Sequence, residues 1–182
     1  TSAIGGPGAI TLPAGQTLAL TVAGDHQLSN VTVNNSGLMT TAIGGGQVLL
    51  NDGTVINNAG VFRLGDVISV NSGPGTLNNT GTLEVNGSST ATVNSVTFNN
   101  TGGTLASGTG TLNISTGGAQ SGTTTISGGN VNFNAGTHAV SGTIAAGAGS
   151  SFKVGGATFN LGDGSALALA DNLNFTSGAI NL

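Results

Sequence analysis

Charged side chains are scarce in this chain of 182 residues, which has 2 Lys and Arg and 6 Asp and Glu, or 4% in total. Typical soluble domains have about 25%. The net charge is −4 and no basic patch occurs, so nucleic-acid binding has no electrostatic basis. Cysteine, tryptophan and tyrosine are absent. The lack of cysteine fits a bacterial surface or secreted protein that is stabilised by a hydrogen-bonded ladder.

Long apolar runs are also missing, so no transmembrane helix is predicted. The chain starts at Thr1 without a signal-peptide pattern, and we interpret it as a mature product or an excised segment. Helix is disfavoured because Gly, Asn, Thr and Ser are poor helix formers and no long helical apolar stripe occurs. Disorder is disfavoured because apolar residues reach 37% and recur periodically. These exclusions leave an ordered all-β fold.

A repeat of the form apolar-x-Asn-Asn-x-Gly is the main positive signal, and a short alternating run follows each copy. The first Asn of each pair is at position 34, 57, 78 or 99, so the steps are 23, 21 and 21 residues. A recurring step of this size indicates a solenoid. Short alternating strands between Gly-rich corners, such as 82–85 and 111–114, indicate three strands in each rung.

The sequence therefore predicts an all-β, right-handed parallel β-helix (a β-solenoid) of about 21 residues per rung and roughly eight to nine rungs. Residues 1–25 lack an Asn pair and are predicted to be an N-terminal cap or an irregular first rung. Residues 26–182 are predicted to be solenoid rungs. The Phe-Asn pairs at 98–99, 133–134 and 159–160 are unevenly spaced, so we expect rungs of variable length after position 100.

Stacking explains both the asparagines and the apolar residues of the repeat. Asn side chains at corners can form amide ladders, in which each one bonds to its equivalent one rung away. Asp would be unfavourable there because stacked carboxylates repel each other. The predicted ladder residues are Asn34, Asn35, Asn57, Asn58, Asn78, Asn79, Asn99 and Asn100. The predicted core aromatic residues are Phe62, Phe98, Phe133, Phe159 and Phe175.

The Asn-Asn-x-Gly-x-Leu-x-Val units at 34–38, 57–64, 78–85 and 99–105 resemble the β-helical repeats of bacterial secreted adhesins. Those are the filamentous-haemagglutinin-like exoproteins and the autotransporter passenger domains. The resemblance implies secretion to the cell surface and a role in adhesion, biofilm or filament formation. The chain has no Arg-Gly-Asp tripeptide and no haemagglutination-domain signature, so the resemblance does not name an adhesive ligand.

Parallel β-helices also include polysaccharide lyases and glycoside hydrolases, whose sites need convergent carboxylates with a base or a metal. The six acids of this chain are instead scattered along its whole length: Asp25, Asp52, Asp66, Glu84, Asp163 and Asp171. We interpret them as isolated surface charges and predict no enzyme and no catalytic residue.

Three other features receive an equally plain interpretation. His26 and His138 are taken as surface side chains at loops, and Arg63 and Asp66 are expected to pair across a bend. The Gly-Asp-Gly segment at 162–164 occurs once and offers a single carboxylate, which is too few oxygen ligands for calcium. We therefore predict no metal and no cofactor.

The expected function is that of a non-enzymatic bacterial surface or extracellular structural protein, a rigid rod segment of an adhesin or a self-assembling filament. Residues 85–152 contain no Asp, Glu, Lys or Arg. A neutral exterior of this length is tolerable where it meets another copy, a fibre or glycans. We expect self-association, end-to-end or lateral, or host or matrix glycans as partners, without nucleic acid or membrane insertion.

Two alternatives stay open at this point. One is a carbohydrate-binding or polysaccharide-processing β-helix, which would show a convergent acid cluster in a groove. The other is an ice-binding-like solenoid, which would show a regular Thr array on one flat face. The Thr-x-Thr pairs of the sequence, such as the one at 90–92, recur irregularly, so Thr is interpreted as an outward-facing strand former.

Overall fold

A computed structural model of the chain describes residues 2–21, 24–41, 46–65, 67–69, 74–171 and 173–182. These residues form strands joined by short turns, with no helix among them. The strands are β1 (Ser2–Leu12), β2 (Thr17–Leu20), β3 (His26–Asn35), β4 (Leu38–Thr41), β5 (Val48–Asn51), β6 (Val55–Asn58), β7 (Val61–Leu64), β8 (Val67–Ser69), β9 (Thr76–Asn79), β10 (Thr82–Val85), β11 (Thr90–Asn94), β12 (Thr97–Thr101), β13 (Thr104–Ser115), β14 (Gly118–Ala135), β15 (Thr137–Ala146), β16 (Ser151–Leu161), β17 (Ala166–Leu169) and β18 (Leu173–Asn181).

Each strand pairs in parallel with a strand about one rung away, which makes the fold a β-solenoid of about eight turns with a spacing of about 21 residues. The predicted fold class is confirmed; the right-handed sense of the coil stays a prediction from the preference for right-handed crossovers. Each rung has three faces. Face 1 contains β6, β9 and β12, face 2 contains β7 and β10, and face 3 contains β8 and β11.

The core is a set of columns of apolar side chains that run along the solenoid axis. Strands of faces 1 and 2 bury every second residue, as in β6, β7, β9 and β10. On face 1 the column runs through Val33, Ile56, Leu77 and Phe98, which are fully buried. A rung cannot bury this inward face alone, so the stacking of neighbouring rungs supplies the core.

The first rung is built from residues 2–20. β1 pairs in parallel with β3, and β2 pairs with β4. The register of β1 against β3 shifts between Gly5 and Gly8. The segment in which we expected a cap or an irregular first rung therefore carries regular parallel pairing with one local irregularity.

The expectation of looser rungs after position 100 is wrong. Asn100 pairs with Gln120, Gln120 with Val140 and Val140 with Leu161, so the steps are 20, 20 and 21 residues. The Phe-Asn pairs misled because they lie on different faces: Phe98 is on face 1, whereas Phe133 pairs with Val154 on face 3. The strands also become longer than the predicted short segments, because β13 and β14 continue through corners with small register shifts.

Four of the five predicted core phenylalanines are buried, and the fifth is not. Phe62, Phe98, Phe133 and Phe159 are at most 1% exposed. Phe175 is 50% exposed, which contradicts its place in the predicted core. It lies on β18, and no later rung of the structure stacks over it. Phe152 was missed by the sequence prediction although it is buried, in register with Val131 and Leu173.

Candidate functional site

The second Asn of each repeat forms a buried column, here called the inner Asn column, made of Asn35, Asn58, Asn79 and Asn100. All four lie at the end of a face 1 strand and are at most 1% exposed. Each Nδ2 donates to Oδ1 of the Asn in the next rung, at 2.6, 2.6 and 2.7 Å. The column ends where Nδ2 of Asn100 donates to Oγ1 of Thr124 at 2.8 Å. Four rungs are thereby linked through buried amides.

The inner Asn column also satisfies backbone groups at the corner between faces 1 and 2. Nδ2 of Asn35 donates to the Val61 carbonyl at 2.9 Å, and Nδ2 of Asn58 donates to the Thr82 carbonyl at 2.9 Å. Oδ1 of Asn35 accepts from the Gly37 N–H at 3.1 Å. A buried amide left without partners would cost about 1 to 3 kcal/mol, so this dense bonding is what makes Asn tolerable in the interior.

The first Asn of each repeat forms a second column, here called the outer Asn column, made of Asn34, Asn57, Asn78 and Asn99. These side chains are half-buried on face 1, and each Nδ2 donates to Oδ1 of the preceding rung at 2.9 Å. The column ends where Oδ1 of Asn99 accepts from the Ala119 N–H at 3.0 Å. Its amides point along the axis in the direction opposite to that of the inner column.

The glycine of the repeat has a packing reason rather than a conformational one. Gly37, Gly60 and Gly81 do not adopt the positive φ that glycine uses in tight turns. A Cβ on Gly60 would lie less than 3.0 Å from the Gly37 carbonyl, and one on Gly81 less than 3.0 Å from the Gly60 carbonyl. The backbone of each rung thus approaches the previous one too closely for any side chain at this corner.

The cation Arg63 pairs with an acid one rung away. Its Nε lies 2.6 Å from Oε1 of Glu84, and the two residues are in register on face 2. Asp66, the partner expected from the sequence, lies outside the described residues. The side chain of Arg63 is 41% exposed, so this pair is a surface ion pair of small stabilising effect.

The other carboxylates for which partners are seen also bond to a neighbouring rung. Asp25 Oδ1 accepts from the Gln47 N–H at 3.1 Å, and Asp171 Oδ2 accepts from the Gly149 N–H at 2.7 Å. Asp52 accepts from the Ser29 hydroxyl. Within the described ranges no three His, Cys, Asp or Glu side chains are grouped so that they could hold a metal ion, and no pocket is found.

The interpretation of both histidines as surface side chains is wrong. His26 is 6% exposed and His138 is fully buried. His138 occupies the core column of face 1, in register with Gly118 in the rung before and Phe159 in the rung after. A step of 21 residues back from Phe159 is the sequence signal that could have placed it there.

His138 is enclosed by aromatic rings. Its ring stacks on Phe159 at 5.0 Å and meets Phe133 edge-on at 4.9 Å, and Phe152 lies 5.7 Å from Phe133. Burial lowers the pKa of His138 to about 4, although backbone groups of Ala135 and Thr116 oppose part of this change. His138 is therefore neutral at neutral pH.

The chain was compared with protein-family models, curated proteins and solved structures, and none of the three comparisons gives a match. Among the described residues there is no helix whose length and hydrophobicity would suit a membrane span.

Proposed function

We propose that this chain is a rigid, non-enzymatic rod segment of a bacterial surface or extracellular protein, of the type used in adhesins and self-assembling filaments. The observation that carries the proposal is the inner Asn column, which links successive rungs through buried side-chain hydrogen bonds. The resemblance of the repeat to filamentous-haemagglutinin-like and autotransporter passenger repeats supports the same role and a surface or secreted location.

The mechanism is mechanical. Three kinds of interaction join each rung to the next: the parallel backbone ladder, the apolar columns and the amide columns. Bending the rod would open buried hydrogen bonds on one side, and each buried partner left unpaired costs about 1 to 3 kcal/mol. The stack therefore resists bending and holds whatever it carries at a fixed distance.

The partner surface we propose lies in the neutral stretch, residues 85–152. On face 3 this stretch presents the amides of Asn113 and Asn132, which are half-buried and bond to each other at 3.0 Å. Asn134 donates to the same Asn113 oxygen at 3.2 Å. A surface of amides and hydroxyls without charges suits contact with another copy of the chain or with neutral glycans.

The rod and partner proposals are tested together on cells and in solution. The chain is displayed on a non-adherent bacterium, and autoaggregation, biofilm mass and binding to glycan-coated surfaces are measured against cells that carry the empty anchor. Sedimentation velocity over a wide concentration range and negative-stain imaging follow the purified chain. Gain of any of the three surface properties, or concentration-dependent assembly, supports the proposal. A strictly monomeric chain that gives cells no new property overturns it.

A second candidate is a β-helix that binds or processes polysaccharides. It is favoured by the outer Asn column, because half-buried amides repeated once per rung offer aligned donors and acceptors to an extended sugar chain. A polysaccharide panel separates the two cases: release of reducing ends or unsaturated sugars indicates processing, and retention without product indicates binding only.

The ice-binding alternative is not pursued further. On face 3, Thr90 and Thr92 are in register with Thr111 and Asn113, so the Thr-x-Thr pair is not repeated in the next rung. The regular Thr array that this function would need is not formed there.

A further inference from the structure

The core column of face 1 changes its chemistry in the second half of the solenoid. Val33, Ile56, Leu77 and Phe98 are followed by Gly118, then by His138 and Phe159. A Cβ on Gly118 would lie less than 3.0 Å from the Phe98 carbonyl, so only glycine fits there. His138 thus takes a position that every earlier rung from Val33 to Phe98 fills with an apolar side chain.

The amide ladder stops at the same place. Gln120 is in register with Asn100, the last member of the inner Asn column, and Val140 follows it. Nε2 of Gln120 lies 3.4 Å from Nδ1 of His138, and both groups are buried. Oε1 of Gln120 and Nε2 of His138 make no hydrogen bond with the described residues. This pair is the least well satisfied polar contact in the described core.

Protonation of His138 would turn this marginal contact into an unfavourable one. In the neutral ring, Nδ1 can accept from the Gln120 amide. In the imidazolium ion both ring nitrogens carry hydrogen, so Nδ1 would face the Gln120 NH₂ donor to donor. The cation would also be enclosed among Phe133, Phe152 and Phe159, without the water that solvates it in the unfolded chain.

No compensating anion faces the ring. The strands that surround His138 are β12 to β16 and β18, and Lys153 on β16 is the only other ionisable residue on them. Lys153 is half-buried between the buried residues Phe152 and Val154, so it points to the outer side of face 3. Because no carboxylate stands on these strands, burial of an imidazolium would remain uncompensated.

We propose that His138 and Gln120 form an acid-sensitive release point, at which protonation of the imidazole loosens the rungs of residues 117–161. The rungs of residues 31–100 contain the inner Asn column and no buried group of this kind on face 1, so they stay folded. The inference goes beyond the rod function, because it gives the rod a segment that opens in acid.

The pH window follows from the two states of the histidine. In the unfolded chain the histidine titrates near its ordinary value of 6.5, whereas in the folded chain burial lowers the pKa to about 4. The neutral form is favoured by folding, so stability is full above pH 6.5 and is lost as the pH falls towards 4. Between pH 7 and pH 5 the equilibrium constant for opening is expected to rise about 20-fold.

The test compares wild type with His138→Phe, which places in this column the residue type found at positions 98 and 159. Hydrogen exchange with mass spectrometry, corrected for intrinsic rates, is measured from pH 7 to pH 4.5. Wild type should lose protection in peptides from 117–161 before those from 48–100, and His138→Phe should not. His26→Gln, which removes the other buried histidine, should keep the acid sensitivity.

Two results would overturn the proposal: equal acid sensitivity of wild type and His138→Phe, or loss of protection in both halves together. Histidine NMR of the wild-type chain provides a readout that needs no variant. A His138 resonance that titrates near pH 6.5 while the rungs stay protected would also overturn it. Titration near pH 4, together with early opening of residues 117–161, supports it.

Discussion

Asn58 donates from Nδ2 to Oδ1 of Asn79 at 2.6 Å, across a sequence separation of 21 residues and in a fully buried setting. The same nitrogen donates to the Thr82 carbonyl at 2.9 Å. Its own oxygen accepts from Asn35. One side chain thus connects three rungs, which makes the second Asn of the repeat a structural requirement of the stack.

Removal of this side chain should be costly. Asn58→Ala leaves the Asn79 oxygen and the Thr82 carbonyl without their donor, and we expect the free energy of unfolding to fall by about 3 kcal/mol. Asn57→Ala is the matched control, because Asn57 is half-buried in the outer column and water can replace its bonds. Its expected cost is about 1 kcal/mol or less. Urea unfolding followed by circular dichroism measures both, and equal costs would contradict the inner column's role.

Replacement of Asn58 by aspartate should be worse than replacement by alanine at neutral pH. The carboxylate cannot donate to Asn79 or Thr82, and its charge would be buried without a cation. The protonated acid regains one donor, so the deficit of Asn58→Asp should shrink as the pH falls from 7 to 4. Urea unfolding at several pH values, with Asn58→Ala as the pH-insensitive reference, checks this. A deficit that stays constant with pH would refute the ladder explanation for Asn.

The repeat glycine should reject even a methyl group. In Gly81→Ala the new Cβ would lie within 3.0 Å of the Gly60 carbonyl, so the rung backbone must move, at a cost of about 1 to 3 kcal/mol. Gly8→Ala serves as control because a Cβ there meets no atom within 4 Å and the φ is not positive. We expect the control to change stability little. Thermal unfolding of both variants decides, and similar melting temperatures would contradict the close approach.

The two face 1 and face 3 phenylalanines near the end of the stack should differ sharply. Phe159→Ala removes a ring that is 1% exposed, and such a cavity costs about 3 to 5 kcal/mol. Phe175→Ala removes a ring that is 50% exposed and should cost about 1 kcal/mol. Denaturant unfolding of the two variants measures the difference. A Phe175→Ala deficit as large as that of Phe159→Ala would mean that another group covers this ring in solution.

The periodic part of the fold was predictable because its signal is local and repeated. The Asn pairs gave the step, and the alternation of apolar residues gave the inward face of each strand. The place of the repeat glycine was visible as well, but its reason was not: a close approach between Gly60 and Gly81 exists only once two rungs are stacked.

The departures from the pattern were not predictable from residue type. His138 and Phe152 required the register between rungs, which shifts by a residue or two in β13 and β14. Phe175 has the residue type of a core position, yet its burial depends on whether a further rung lies over it. Register and stacking are relations between distant segments, so a single repeat does not contain them.

The opposite directions of the two Asn columns have an electrical consequence. Inner amides donate towards later rungs and outer amides towards earlier ones. An α-helix adds its peptide dipoles head to tail and so acquires opposite partial charges at its two ends. Here the two side-chain rows oppose each other, so each added repeat contributes nearly no axial polarity from its asparagines. A protein built this way can be lengthened by duplication of the repeat without an electrostatic penalty that grows with length.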